Sequence, residues 1–376
     1  MEPLKVGILG CGKISQAYFT GLKHYGRYTK VVGAADIQMP AAERAAEAHG
    51  IDAMTVDEML TNDEIELIVN LTIPSAHAPL NQQILESGKH AYCEKPFALN
   101  RRSGFDVIEK AKEEGLRVGC APDTVLGAGI QTCRKLIDEG TIGEPQYVSV
   151  NMQTMGPEHW HPNPQFYYEE GGGPLWDMGP YYFSALVTFF GPAAKVVSLG
   201  GSAFEKRVAL GGSRVGERFP VSVQTHYLSL VEFASGVSAQ TLFSFDLRGE
   251  THLPLFEIYG TEGSLAVPDP NHHTGEILIS TIADARPGDY GPKPEWHTVK
   301  PEHTHGGMRG LGVADMAAAL RNDRPHRASA EMALYVVDLF RCLDKSSELK
   351  RFEPLETTCE RPAMMPIGLA EDEVEA

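Results

Sequence analysis

Two groups of residues in this sequence could place charge and move protons at an oxygen atom. The first is Cys93-Glu94-Lys95-Pro96. A lysine ammonium behind a carboxylate and held by a proline can donate a hydrogen bond to an alcohol or carbonyl oxygen and stabilise negative charge that develops there. The second is Gly171 to Tyr182, GGGPLWDMGPYY, in which Asp177 and Tyr181 stand four residues apart. On a helix that spacing stacks a carboxylate and a phenol on one face, a pairing suited to hydroxyl binding and proton transfer. Each has a plainer alternative: a solvated surface lysine, and a buried tyrosine bonded to a nearby aspartate.

Both groups need elements that hold them against a ligand. Lys5 to Ser15, KVGILGCGKIS, reads as a buried strand, a tight turn at Gly10-Cys11-Gly12, and a helix start at Lys13 and Ile14. A helix start offers unpaired N–H groups and a positive dipole end to a diphosphate. Gly10 makes the turn and Gly12 lets the backbone approach the ligand. Ser15 replaces the third glycine of the dinucleotide fingerprint, and a strand-Gly-x-Gly-helix can be a tight turn and nothing more. The next strand, Lys30 to Ala35, ends in Asp36, 26 residues after Gly10, close to the roughly 20 at which a ribose-binding acid is expected. Such an acid accepts from both adenosine ribose hydroxyls and repels a 2'-phosphate, so NAD is expected in preference to NADP.

Bulk properties narrow the class. A chain of 376 residues suggests two domains, and 42% apolar with 22% charged content is ordinary for a globular protein. A formal charge of −17 with no basic cluster argues against a nucleic-acid or anionic-membrane partner. The six cysteines form no CxxC pair, so neither a disulfide framework nor a metal site is indicated, and buried thiols are expected. The N-terminus has no signal-peptide pattern and nowhere do 18 apolar residues run together. A cytoplasmic protein with a small ligand is the expectation.

In the first third, helices alternate with strands at Leu67–Leu71, His90–Cys93 and Arg117–Cys120, which predicts parallel βαβ units in a doubly wound sheet. A cofactor then lies across the strand carboxyl ends, where Gly10, Asp36, Thr72 and Glu94 fall. Beyond about Ala121 alternating strands dominate: Pro145–Met155, a hairpin within Val221–Phe245 turning at Ser235-Gly236, then Pro254–Gly260, Ser264–Val267, Glu276–Ser280 and Trp296–Lys300. Helices are expected at Leu175–Phe189, Leu311–Arg321 and Ser329–Asp344, and a frayed acidic tail at Leu369–Ala376. The fold class is therefore α/β: an N-terminal Rossmann doubly wound parallel sheet, plus a C-terminal α+β domain with a large, open, mostly antiparallel sheet. The expected division is 1–121, 122–345 and a C-terminal extension 346–376.

Over nearly its whole length the sequence resembles the Gfo/Idh/MocA oxidoreductases. The resemblance is carried by VGILGCGKIS, TIPSAHA, GKHAYCEKPFA, TIGEP, GGGPLWDMGPYY and YGTEGSLAV. It implies an NAD(P)-binding Rossmann domain, a second domain whose open sheet mediates dimers or tetramers, and a hydroxyl carbon of a sugar, inositol or related polyol as the reacting centre. By it, Lys95 matches the lysine that contacts substrate and nicotinamide ribose, Asp177 the acid that orients substrate or base, and Thr72, Pro74, His77 and Glu94 cofactor-side positions. Where the family usually has a histidine four residues after the aspartate, this chain has Tyr181, which leaves the general base open among Tyr181, His161 and Lys95.

His161, in the loop Glu158-His159-Trp160-His161-Pro162 that leads into the Asp177 helix, is the preferred substrate-pocket histidine, with Trp160 and Asp123 as further substrate-binding candidates. His303 and His305 are read as exposed loop residues. An NAD-dependent sugar or polyol dehydrogenase is the expected function. The alternatives are an NAD-recycling glycosidase or epimerase acting through transient oxidation, and a non-catalytic cofactor or sugar sensor.

Overall fold

A computed structural model of the chain describes residues 2–288 and 291–375. It divides into two compact units, one of Met1–Gln131, Glu302–Val337 and Pro362–Ala376, the other of Thr132–Pro301 and Asp338–Arg361. This differs from the contiguous division 1–121, 122–345 and 346–376, because later segments return to the first unit.

In the first unit, β1 (Leu4–Leu9), β2 (Thr29–Ala35), β3 (Asp52–Met54), β4 (Leu67–Asn70), β5 (His90–Cys93) and β6 (Val118–Cys120) form a parallel sheet in the order β3-β2-β1-β4-β5-β6. The crossovers are α1 (Ser15–His24), α2 (Met39–His49), α3 (Val56–Thr61), α4 (Pro74–Glu86) and α5 (Arg101–Glu113). β4 is buried at every residue, as a strand covered by helices on both faces must be. The order reverses between β1 and β4, where the carboxyl ends of a doubly wound sheet open a crevice. The sequence reading leaves Asp52–Thr61 unassigned; there Thr55 and Glu58 form a capping box that starts α3. α5 begins at Arg101, capped by Asn100, whose Oδ1 accepts the Ser103 N–H at 2.9 Å.

α6 (Ala128–Asp138) precedes the second unit's sheet. That sheet contains β7 (Pro145–Gln153), β8 (Ala193–Gly201), β11 (His226–Phe233), β12 (Ser238–Ser244), β13 (Phe256–Gly260), β14 (Gly263–Ala266), β15 (Ile277–Thr281), β18 (His297–Val299) and β19 (Glu353–Pro354), ordered β18-β15-β14-β13-β7-β12-β11-β8-β19. Only β7 and β12 pair in parallel. Two short ribbons, β9 (Lys206–Val208) with β10 (Arg218–Pro220) and β16 (Arg286–Gly288) with β17 (Gly291–Lys293), complete the strands. α7 (Gly173–Phe190) packs on β11 and β12. β11 starts at His226 rather than Val221, since the intervening backbone bonds elsewhere, Ser222 N to Tyr168 O and Thr225 N to Gly201 O. β8, absent from the sequence reading, pairs with β11 along its length. On β11, Tyr227, Val231 and Phe233 are buried while Leu228 and Leu230 are about half exposed, at 49% and 53%.

The chain ends with α8 (Leu311–Arg321), α9 (Ala330–Leu349) and β19. The acidic tail is not frayed. Leu369 and Val374 are buried, Val374 N donates to the Tyr28 hydroxyl, and Glu373 and Glu375 pair with Arg27 and Arg324. Its two apolar side chains give it a reason to dock that its charge conceals.

Candidate active site

At the end of β1 the chain turns at Gly10, whose φ of +100° belongs to glycine; a Cβ there would lie 2.8 Å from the Leu71 carbonyl carbon. Gly12 faces open space, with nothing within 4 Å of a Cβ built on it. Ser15, the departure from the three-glycine fingerprint, donates its hydroxyl to Gly12 O at 2.7 Å and so closes the turn itself. Asp36, half-buried at the tip of β2, accepts Cys11 N at 2.7 Å and Gln38 N at 2.8 Å on its two oxygens. An open glycine at a helix start beside a fixed carboxylate fits a dinucleotide's diphosphate and ribose. Lys13 is exposed and Ile14 half-buried at that helix start.

The loop after β4 is stitched by Asn70, whose Oδ1 accepts from Thr72 N and Oγ1 and whose Nδ2 donates to His77 O and Asn81 Oδ1. Pro74 sits in the first turn of α4, as its missing N–H permits. His77, expected beside the cofactor, is buried. Its Nδ1 lies 2.8 Å from Pro96 O and its Nε2 3.1 Å from Thr72 O. Burial holds the imidazole below its usual pKa, and a neutral ring donates to one carbonyl, the closer being Pro96. The ring is a strut between the loops after β4 and β5, and offers no edge to a ligand.

Lys95 follows β5 and is half-buried. Glu94 is buried and its carboxylate is committed: Oε1 accepts the Tyr18 hydroxyl at 2.8 Å with Arg309 Nη1 3.7 Å away, and Oε2 accepts the Lys95 N–H at 3.1 Å. Asp123, a substrate candidate by sequence, is wholly buried. Its Oδ2 accepts Gly310 N at 2.8 Å and Gly312 N at 3.1 Å, the amides that start α8. A short carboxylate below two unpaired helix amides is drawn to them. The histidines read as exposed are buried too, His303 Nε2 against Met365 O and His305 Nε2 against Leu126 O.

In the second unit, every residue of α7 is buried except Asp177 and Met178. Asp177 is thus the one titratable side chain that α7 offers outward; Tyr181, one turn on, is 5% exposed. The helix is pinned on either side of Asp177. Trp176 Nε1 donates to Asp344 Oδ2 at 3.1 Å, and the Tyr182 hydroxyl donates to Asp269 Oδ1 at 3.0 Å. Pro180 removes the helix bond to the Trp176 carbonyl, and Gly179 admits the Phe340 ring, which a Cβ would meet at 2.8 Å.

Trp160 and His161 lie in the loop before α7. Trp160 is 56% exposed, and His161 Nδ1 faces Asn163 N and O. Beneath them is a buried ionic knot. Glu158 accepts from the Tyr168 hydroxyl and from Arg207 Nη1 at 2.9 Å, and Arg207 also pairs with Asp246 and donates to Phe245 O. Sequence reasoning passes over Tyr18, Arg309, Arg207 and Asp246. A hydroxyl on the apolar face of α1 is the one available signal, for Tyr18; the other three meet their partners across long stretches of chain. Among the described residues no His, Cys, Asp and Glu cluster suited to a metal ion occurs, no helix is long and apolar enough to cross a membrane, and the six cysteines are free, five of them buried.

Family comparison decides the class. Residues 4–121 match the model of the oxidoreductase family with NAD-binding Rossmann fold, and residues 130–266 match the GFO/IDH/MocA C-terminal domain. The chain belongs to the GFO/IDH/MocA oxidoreductases. It is 34% identical over 157 residues to the inositol 2-dehydrogenase/D-chiro-inositol 3-dehydrogenase of Lactiplantibacillus plantarum, a match spanning 38% of this chain and only 41% of that relative. With the inositol 2-dehydrogenase of Rhizobium meliloti it shares 25% identity over 297 residues, 78% of this chain and 82% of the other. A levoglucosan dehydrogenase solved with NADH and L-sorbose superposes with a TM-score of 0.79 at 19% identity, over 94% of this chain and 99% of that one. At that identity the likeness is one of fold. The chain is accordingly an NAD-binding oxidoreductase, with the expected sheet in each domain.

Proposed function

We propose that this protein is an NAD-dependent dehydrogenase or reductase acting on a hydroxyl carbon of a sugar, a glycoside or anhydrosugar, or an inositol. The observation that carries it is the carboxyl edge of the parallel sheet, where the open Gly12 turn, Asp36 and Lys95 stand just after strands β1, β2 and β5. NAD, when bound, accepts or returns the hydride. The turn and the α1 start hold the diphosphate, and Asp36 accepts the ribose hydroxyls and disfavours a 2'-phosphate. Lys95 donates to the reacting oxygen and offsets its developing charge. Asp177 orients the hydroxyl, Tyr181 shares the proton transfer with Lys95, and His161 with Trp160 reads the rest of the substrate. The names of relatives, inositol and levoglucosan dehydrogenases among them, support a cyclic polyol. No observation favours the NAD-recycling or sensor readings.

The exposed apolar face of the second sheet, including Leu199, Leu228, Leu230 and Tyr147, supports assembly as a homodimer or homotetramer; a monomer by sedimentation at micromolar concentration would overturn that part. The free cysteines agree with a cytoplasmic location.

An NADH-absorbance screen over monosaccharides, anhydrosugars, glycosides and inositols tests the function, and cleavage or epimerisation without NADH formation would replace it. Lys95→Ala should lower kcat by about 10²-fold or more with NAD affinity kept. Loss of NAD binding instead would remove the assigned role. Tyr181→Phe deletes only the hydroxyl and should lower kcat and alter the basic limb of the pH profile; an unchanged profile beside a dead His161→Ala moves the proton to His161.

A further inference from the structure

The loop that enters α8 reaches the Glu94-Lys95 motif from more than two hundred residues away, and four features hold it there. Gly21 of α1 leaves room for the Arg309 carbonyl, which would lie 1.6 Å from a Cβ at that position. Gly310 takes φ of +95°. Asp123 accepts Gly310 N and Gly312 N, and the Tyr25 hydroxyl donates to Met308 O at 3.4 Å. Arg309 is the one charged residue from Met308 to Gly312, and its guanidinium lies 3.7 Å from Glu94 Oε1.

Glu94 has a 9% exposed side chain. A carboxylate so far from water is costly unless paired and hydrogen-bonded. Tyr18, whose phenol burial pushes well above its ordinary pKa, remains a neutral donor to Oε1 at 2.8 Å. Arg309 supplies the cation. Oε2 is left to accept the Lys95 N–H at 3.1 Å, so whatever fixes the carboxylate also fixes the backbone from which the lysine projects.

We infer that Arg309 is a positioning residue: with Tyr18 it anchors the Glu94 carboxylate, and through that carboxylate it sets the placement of Lys95 for the reaction. The inference rests on the reading of Lys95 above. A displacement of about 1 Å in a positioned group can cost about 10²-fold in rate, and Arg309 acts on that displacement through Glu94 Oε1.

The test compares Arg309→Met, Arg309→Lys, Lys95→Ala and the double variant Lys95→Ala/Arg309→Met, measuring kcat, the NAD dissociation constant by fluorescence titration, and Tm. Arg309→Met should lower kcat by about 10-fold or more with NAD affinity nearly unchanged, and Arg309→Lys should recover most of the loss. In the Lys95→Ala background Arg309→Met should add nothing, because both changes act at one group. Equal fold losses in both backgrounds, or a lower Tm with unchanged kcat per folded enzyme, overturns the inference. If Arg309→Met does not fold, Tyr18→Phe decides: it removes the second anchor on the same oxygen, and an unchanged kcat overturns the inference. A Lys95→Ala enzyme of normal kcat refutes instead the reading of Lys95, whatever Arg309 does.

Discussion

At the turn after β1, the tip of β2 and the loop after β4, the cofactor-side groups each bond a close neighbour in sequence, whereas Glu94 beside Lys95 draws on Tyr18 and Arg309. Ser15 bonds Gly12, Asp36 bonds Gln38, and Thr72 bonds Asn70. The loop before α7 is held by distant ones. Glu158 meets Arg207, Arg207 meets Asp246, and Trp176 meets Asp344. On the reading proposed above, the first arrangement serves the cofactor, and a short stretch of chain can carry it intact. The second pins the base of a loop whose apex, Trp160 to His161, packs on Tyr167. The Gly12 turn is closed locally in this protein, and the loop of Trp160 rests on a remote anchor.

Breaking the remote anchor should have the largest effect. Arg207 and Glu158 are each 2% exposed, and removing one partner of such a pair costs about 3–5 kcal/mol because the other charge stays buried. Arg207→Met should therefore lower stability by about that amount in denaturant titration and raise KM for the polyol, while NAD affinity holds. A loss below about 1 kcal/mol would show the knot to be wet and the contrast overdrawn. The local side is tested by Asp36→Ser. The kcat/KM ratio of NAD to NADP should fall by about 10-fold or more as the like-charge opposition to a 2'-phosphate disappears, and an unchanged ratio would mean that the β2 tip does not select the cofactor.

The smallest expected effect concerns a residue on neither side of the comparison. Burial pushes the His305 imidazole down to about 4 from about 6.5 in an unfolded chain. With its folded pKa depressed, the ring costs nothing above pH 6.5. As pH falls from there toward 4 the unfolded state takes up a proton that the folded state does not, so stability declines by up to about 1.4 kcal/mol per pH unit. Unfolding free energies at pH 7 and pH 5 should differ by less in His305→Gln than in the parent; the same slope in both would assign the acid sensitivity elsewhere.

The sequence was most readable where period and punctuation agree. The apolar runs of β1, β4 and β5 are buried strands, β5 and α8 begin and end where their residue types change, and Gly10 takes the positive φ that its turn demands. Short elements were missed because α3 and β3 lack a full period of pattern. Polar side chains misled in one consistent way. His77, Asp123, His303 and His305 suggest exposure or ligand contact by type, yet all are buried with backbone partners. Nothing local distinguishes a histidine that faces solvent from one that closes a loop against a carbonyl, because the carbonyl comes from elsewhere in the chain. Arg309 and Arg207 were illegible for the same reason.

The return of the chain to the first unit also bears on how the protein is made. The sheet that carries the cofactor turn is complete by Cys120, but α8 and the docked segment with Leu369 and Val374 belong to the same unit and are synthesised only after strands β7 to β18. Domains usually fold in order of synthesis. Here strands β1 to β6 wait, with the apolar surface under α8 and the docked segment uncovered, until those later segments are out. A fragment cut near residue 121 would keep that surface bare for good.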